Sequence, residues 1–216
     1  MNEPKKAKLF SLRCLLMDFM RLLGALPGLI WLRPKICYTS KKAKRRIRGG
    51  ALVISNHNGF LDPAFSMFAI WYRRQYFVCH KEFLETKAGP FMRAAGACIP
   101  IDAKNFNIGS FRQITDSLKE GKLVVLFPEG HINDGSGKMG EFKSGMVLIS
   151  MQSKRPIVPM YLKPRPHWYS RLKAVIGEPV DITELYGDMP AFSKIEEITK
   201  LLRQREEFLE EYAKSI

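Results

Sequence analysis

From Ala51 onward, short apolar runs alternate with longer stretches in which apolar residues recur at helical spacing. The runs are Ala51–Ser55, Gln75–Cys79, Ala97–Ile101, Leu123–Phe127, Ile157–Leu162 and Leu172–Ile176. Between them, Pro63–Tyr72, Phe83–Ala95, Ile108–Lys119 and Phe142–Ser153 read as helices. Strands that are apolar throughout, rather than alternating, are buried on both faces, with the intervening helices as cover. The pattern predicts an α/β domain: a mainly parallel sheet flanked by helices. A last helix spans Lys194 to Ala213, with Ile195, Ile198, Leu202 and Leu209 as its apolar stripe. Ser193 and Glu196 have capping-box spacing at its start.

The first fifty residues follow a different pattern. Leu9 to Leu32 is rich in Leu, Phe, Met, Ile and Trp, but Arg13, Asp18 and Arg21 interrupt the run and Gly24, Pro27 and Gly28 break it. The first piece, Leu9 to Leu23, is only ~22 Å long at 1.5 Å per residue. Spanning a bilayer takes ~20 largely apolar residues, and a charge at the bilayer centre costs at least ~2.5 kcal/mol. Lying in the membrane interface is therefore cheaper than spanning. Charges inside the apolar region also argue against a secretory signal. Lys5, Lys6 and Lys8 precede the segment; Lys41, Lys42, Lys44, Arg45, Arg46 and Arg48 follow it, a flanking pattern suited to an anionic leaflet. Residues 1–50 thus read as an N-terminal membrane-associating helical segment with a basic linker, and residues 51–216 as the α/β domain.

Composition sharpens this. The net charge of +14 on 216 residues favours an anionic partner. Nucleic acid is disfavoured, because no zinc-finger spacing or RNA-recognition signature occurs and the apolar N-terminal segment has no role there. The four cysteines, Cys14, Cys37, Cys79 and Cys98, are scattered without C-x-x-C spacing, which points to a reducing compartment and no structural metal. Asp134-Gly135-Ser136-Gly137-Lys138 fails as a phosphate-binding Walker loop: Ile132 stands at the first glycine and Met139 where Ser or Thr belongs.

Ser55-Asn56-His57-Asn58-Gly59-Phe60-Leu61-Asp62 leaves a predicted strand and enters a predicted helix, the place where open α/β sheets bind ligands. A histidine accepts protons near neutral pH. Asp62, folded back onto the ring, would fix its tautomer and stabilise the imidazolium. Asp62 before Pro63 also suits a helix cap, and the two roles are compatible. A second block, Leu126-Phe127-Pro128-Glu129-Gly130-His131, ends another strand: Glu129 suits an acceptor for hydroxyls or a positioner of His57, and Gly130 permits close backbone approach. Pro156-Ile157-Val158-Pro159 follows the helix after Phe142-Lys143-Ser144-Gly145. Cys79 and Cys98 read first as small core residues on strands. Trp31, Trp168 and Tyr169 suit either a lipid interface or partial burial.

In order and spacing these blocks resemble the glycerolipid acyltransferase family that includes 1-acylglycerol-3-phosphate acyltransferases. Its pattern is Asn-His-x4-Asp, a segment ending in Ile/Val-Asp-Arg, Phe-Pro-Glu-Gly-Thr-Arg-Ser, and Val-Pro. The resemblance covers Ala51 to Leu162. It implies His57 and Asp62 as catalytic residues, Asn56, Phe127, Pro128 and Pro159 as structural members of the motifs, and Glu129 and Gly130 at the acceptor; His131, where the family has threonine, suits either the acceptor or the loop surface. It implies acyl transfer from acyl-CoA or acyl carrier protein to a lysophospholipid hydroxyl in phospholipid biosynthesis, without metal or other cofactor. It also implies a membrane-embedded N-terminal helical pair at the cytoplasmic face of a bacterial cell membrane, monotopic or peripheral.

Two departures stand out. Ala103 and Ile132 occupy the positions of the family's two arginines, which are associated with the acceptor's phosphate. A hydrogen bond to a charged group is worth ~1.5–3 kcal/mol, so losing both without replacement implies ~10²–10⁴-fold weaker acceptor binding. Either Lys104, Lys138 or Lys143 supplies the charge, or the acceptor is a different lysolipid. A catalytically silent lipid-binding module is the remaining alternative.

Overall fold

The computed structural model describes residues 12–86, 89, 98–101, 108–133, 139–186 and 192–216. Seven strands form one sheet: β1 (Lys35–Tyr38), β2 (Ala51–Ser55), β3 (Gln75–His80), β4 (Cys98–Ile101), β5 (Leu123–Leu126), β6 (Ile157–Leu162) and β7 (Lys173–Ile176), in the order β1-β7-β6-β2-β5-β3-β4. Every neighbouring pair is parallel except β6 and β7. The helices among the described residues are α1 (Leu12–Leu32), α2 (Asp62–Ala69), α3 (Ile108–Lys119), α4 (Gly145–Ser153), α5 (Ile182–Tyr186) and α6 (Phe192–Lys214); a single 3-10 turn covers Lys81–Glu85.

The sheet divides two cores. Leu52, Ile54 and Val124 face Ile114 and Leu118 of α3, Met146 and Ile149 of α4, and Ile198 and Leu202 of α6. Val53, Val125 and Phe77 face Ala69 and Ile70 at the end of α2. β2 lies between β5 and β6 and is buried along its whole length, so both faces must be apolar. This accounts for the unbroken run Ala51–Ile54.

The structure corrects three expectations. The α/β unit begins before residue 51, because β1 pairs with β7 in the register Lys35↔Lys173 to Tyr38↔Ile176. Lys-Ile-Cys-Tyr is too short and too polar at its ends to stand out as a buried strand. Second, α1 runs unbroken through Gly24, Pro27 and Gly28. A proline inside a helix costs ~3 kcal/mol, and packing on α2 offsets it. A Cβ on Gly28 would fall 2.1 Å from Cζ of Phe68, so glycine is what lets the two helices touch. Asp18, a charge that seemed to interrupt the segment, pairs with Arg74, whose Nε lies 2.9 Å from Asp18 Oδ1. Third, the described residues before β1 form one helix rather than a pair, and no described helix is long and apolar enough to cross a membrane.

Lys5, Lys6, Lys8, Ala103, Lys104 and the glycine-rich stretch with Lys138 lie outside the described residues. The basic run Lys41–Arg48 precedes β2 and is tied to the turn before β5: Arg73 Nη2 donates to the carbonyls of Gly49 at 2.9 Å and Gly121 at 2.8 Å. It therefore sits at the opposite end of β2 from His57.

Candidate active site

The β2–β5 register, Ala51↔Leu123 to Ile54↔Leu126, brings two sequence blocks together. Asn56-His57 leaves the sheet beside Phe127-Pro128-Glu129. Asn56 lies just past β2 yet continues its pairing with β6: its Nδ2 donates to the Leu162 carbonyl at 2.9 Å, and its Oδ1 accepts the Leu162 N–H at 2.8 Å. With the chain pinned there, the next residue turns out of the sheet.

His57 Nδ1 lies 3.0 Å from Asp62 Oδ2. The same oxygen accepts the N–H groups of Asn58 at 2.6 Å and Gly59 at 2.8 Å. Asp62 is the first residue of α2 and is only 4 % exposed, and its carboxylate looks back to the loop rather than capping its own helix. An ionised carboxylate only accepts, so Nδ1 must carry the hydrogen, and Nε2 presents its lone pair. The imidazole stacks on Phe127 with ring centroids 4.1 Å apart and planes at 19°. No hydrogen bond engages Nε2 among the described residues.

Of the two roles open to Glu129, the geometry fits the positioner of His57 rather than the acceptor for hydroxyls: its carboxylate is buried and bonded to backbone, Oε1 accepting the His57 N–H at 3.0 Å and Oε2 the Gly140 N–H at 2.6 Å. It positions the loop that carries His57. Gly130 has φ +75°, and a Cβ there would lie 2.6 Å from Nζ of Lys143. The Lys143 N–H donates to the Pro128 carbonyl at 3.0 Å, which lays the segment before α4 along the Phe-Pro-Glu-Gly turn. His131 Nδ1 donates to the Glu129 carbonyl at 3.0 Å. Pro159 lies in β6 opposite Ile54, where its ring fills the sheet face and its carbonyl accepts the Gly177 N–H at 2.9 Å.

A cavity of about 2190 Å³ opens over these strand ends. His57, Phe127, Gly130, His131, Ile132 and Lys143 line it, together with apolar side chains such as Leu22 and Leu29 of α1, Met67 and Phe68 of α2, and Met146 and Ile149 of α4. Asn56, Asp62 and Glu129 stand behind this wall. Cys79 and Cys98 reach the cavity from β3 and β4; a hydrogen bond between the two thiols, followed by burial, pushes the Cys79 thiol up and away from the thiolate form. His80 lines the cavity, whereas His167 stacks on Tyr169 away from it. The sequence reading missed Asn58 and Asn133, which close the loop: the Asn133 N–H donates to the His57 carbonyl at 2.8 Å, and its Nδ2 reaches Asn58 Oδ1 at 3.3 Å. Asparagine is common in turns, so nothing in its position gave this away.

The mostly parallel sheet thus presents a histidine–aspartate pair at its carboxyl edge, over a largely apolar cavity. The family model described as Acyltransferase matches residues 35–163, well over half of the chain, and the chain belongs to that family. It is 26 % identical over 196 residues to the 1-acyl-sn-glycerol-3-phosphate acyltransferase of Bacillus subtilis (strain 168), covering 82 % of this chain and 96 % of that protein. It is 30 % identical over 115 residues to the probable 1-acyl-sn-glycerol-3-phosphate acyltransferase of Mycoplasma pneumoniae (strain ATCC 29342 / M129 / Subtype 1), covering 50 % of this chain and 42 % of that protein. Its fold matches the crystal structure of the 1-acyl-sn-glycerophosphate (LPA) acyltransferase PlsC from Thermotoga maritima, with a TM-score of 0.64 at 19 % identity, over 93 % of this chain and 80 % of that one.

Proposed function

We propose that this chain moves a fatty acyl group from an acyl thioester to the free hydroxyl of a lysophospholipid, 1-acylglycerol-3-phosphate, at a membrane surface. One observation carries the reading: an imidazole whose Nδ1 is bound to a buried carboxylate lines a largely apolar cavity. The names of the Bacillus and Mycoplasma relatives support the acceptor.

The chemistry follows from the donor. A thioester is already activated, so the protein supplies a base, positioning and charge stabilisation rather than a nucleophile or a cofactor. Nε2 of His57 takes the hydroxyl proton as the oxygen attacks the thioester carbonyl. The tetrahedral adduct collapses, the C–S bond breaks, and His57 returns the proton to the departing thiolate. Asp62 stabilises the imidazolium formed in between. The N–H groups of His57, Asn58, Gly59 and Gly130 already have internal acceptors. Among the described residues the N–H groups of His131 and Ile132 donate to no backbone carbonyl, and both residues line the cavity, so we assign the oxyanion to them. Lys143, beside Gly130, supplies charge for the acceptor's phosphate, and Lys104 is the second candidate. Acyl-CoA and acyl carrier protein both present the required thioester.

The exposed apolar residues of α1, including Leu22, Leu23, Leu26 and Ile30, suit a monotopic seat on the cytoplasmic face of a bacterial membrane. A second acceptor class is favoured by one observation: Ile132, 45 % exposed, lines the cavity where the family carries an arginine. Release of free thiol from acyl-CoA or acyl carrier protein, followed with a panel of lysolipids in wild type and His57→Ala, separates these readings. Release that depends on 1-acylglycerol-3-phosphate and vanishes in the variant supports the first. Preference for an uncharged or zwitterionic acceptor supports the second, and no release with any pair supports a silent lipid-binding module.

A further inference from the structure

The β6–β7 connection, residues 163–172, is unusual in what it shows to solvent. The stretch Lys163-Pro-Arg-Pro-His-Trp-Tyr-Ser-Arg-Leu-Lys173 holds four Lys or Arg and no acid. Its two largest rings face outward: Trp168 is 75 % exposed and Tyr169 56 %. Two large rings packed edge to face on a tightly built loop form an exposed apolar patch, the kind of surface that marks a contact site.

The loop is tightly built. Arg165 Nε donates to the Ser170 carbonyl at 2.7 Å, its Nη2 donates to the Trp168 carbonyl, and its guanidinium stacks over Trp31 at 4.8 Å and Phe65 at 5.1 Å. Arg33 Nη2 donates to the Tyr169 carbonyl at 2.8 Å, and Arg171 Nε donates to the Arg33 carbonyl at 2.5 Å. The backbone carbonyls are thus met from within, and the rings are left as the outer surface. Arg33, Arg165 and Arg171 have no carboxylate partner among the described residues.

Position supplies the rest. The loop starts one residue after Leu162, whose carbonyl is bonded by Asn56 and Asn58 on either side of His57. It therefore shares the sheet end on which the cavity opens. Through Trp31 it is continuous with the exposed apolar side of α1. Aromatic rings next to guanidinium groups whose charge meets no carboxylate among the described residues match the depth profile of a bilayer interface, where rings sit at headgroup level and cations meet lipid phosphates. We propose that the 163–172 loop is a second membrane-contact element, separate from α1, that docks Trp168 and Tyr169 into the headgroup region of an anionic phospholipid surface. The proposal rests on the membrane-surface reading given above and assigns it a place on the molecule that no motif marks.

The test uses the full chain carrying Trp31→Phe and Trp71→Phe, so that Trp168 is the only tryptophan. It is mixed with vesicles of phosphatidylcholine alone or of phosphatidylcholine with phosphatidylglycerol, with and without brominated acyl chains. The expected result is a blue shift and bromine quenching of Trp168 on the mixed vesicles, weaker on phosphatidylcholine and weakened by salt. In the native tryptophan background, Trp168→Ala with Tyr169→Ala should lower vesicle affinity about tenfold while acyl transfer to detergent-dispersed acceptor is unchanged, because neither residue lines the cavity. Binding to vesicles with Trp168 unshifted and unquenched overturns the loop's role and leaves α1 as the sole contact. A Trp168 shift that follows protein concentration without lipid identifies a second copy as the occupant and also overturns it. Failure to bind any vesicle overturns the membrane reading as a whole. Loss of thiol release with vesicle binding intact speaks only against the enzymatic reading.

Discussion

His57 and Asp62 are joined at 3.0 Å through an oxygen that also holds the backbone N–H groups of Asn58 and Gly59. The carboxylate is therefore fixed by the loop before it touches the ring, and the ring takes its direction from the loop. Asp62→Asn should lower kcat for thiol release with little change in KM, because the carboxamide cannot stabilise the imidazolium. His57→Ala should cost more, on the order of 10²–10⁴-fold. Equal activity in wild type and His57→Ala would remove the base from the scheme.

Glu129 predicts a joint loss of stability and rate. Glu129→Ala orphans the N–H groups of His57 and Gly140, each costing ~1–3 kcal/mol when buried. Thermal unfolding should shift downward, and kcat should fall even at temperatures where the variant is folded, because the loop bearing His57 loses its anchor. A folded variant with full activity would mean that Asp62 alone holds the loop.

Gly130 and Lys143 provide the test of the proposed acceptor site. Gly130→Ala forces a side chain into φ +75° and against the Lys143 ammonium, where a Cβ would come within 2.6 Å. The left-handed conformation alone costs ~1–2 kcal/mol. Lys143→Ala should raise KM for a phosphate-bearing acceptor about tenfold or more, while leaving kcat nearly constant. Gly130→Ala should move KM in the same direction by displacing the ammonium. Unchanged KM in both would place the phosphate elsewhere on the cavity wall.

Glu206 sets a pH dependence. It is fully buried on α6; Oε1 accepts the Met160 N–H at 3.0 Å, and Oε2 has no hydrogen-bond partner among the described residues. Burial first, and the neighbouring Glu129 charge in addition, raise its carboxyl well above the usual glutamate range, against the lowering effect of the Met160 N–H. In the unfolded chain the carboxyl ionises near about pH 4.3. Above that pH the folded state still holds a proton that the unfolded state has released, so stability is full below this range and falls as pH rises toward the folded value. Glu206→Gln keeps the acceptor for Met160 and cannot ionise. Denaturant unfolding across pH should show a flatter curve and higher stability near neutrality for this variant. A wild-type curve that is already flat would contradict the buried, protonated side chain.

Much of this was legible in the sequence, for identifiable reasons. The strands β2, β5 and β6 are buried on both faces, so their apolar runs could not be mistaken, and the Ile108–Lys119 helix has the bounds its periodicity suggests. The pairing of His57 with Asp62 could be read because both lie in one short loop. What escaped depended on distant partners. β1 becomes a strand only because β7 accepts it. α1 crosses Pro27 because Phe68 meets Gly28, forty residues away. For Glu129 the sequence left a hydroxyl acceptor and a positioner of His57 both open, because only the fold reveals that two backbone amides claim it.

The side chain of Asn56 both gives a hydrogen to and takes one from the peptide of Leu162. It copies the outline of a backbone amide, so the ladder gains one more rung after the main chain has departed. An aspartate could fill only half of that outline, and a leucine none. Substitution there should therefore blur the exit angle of the chain even though the residue never meets a lipid. The asparagine beside the histidine works as a surrogate peptide bond, and the accuracy of the His57–Asp62 geometry is borrowed from the regularity of the sheet beneath it.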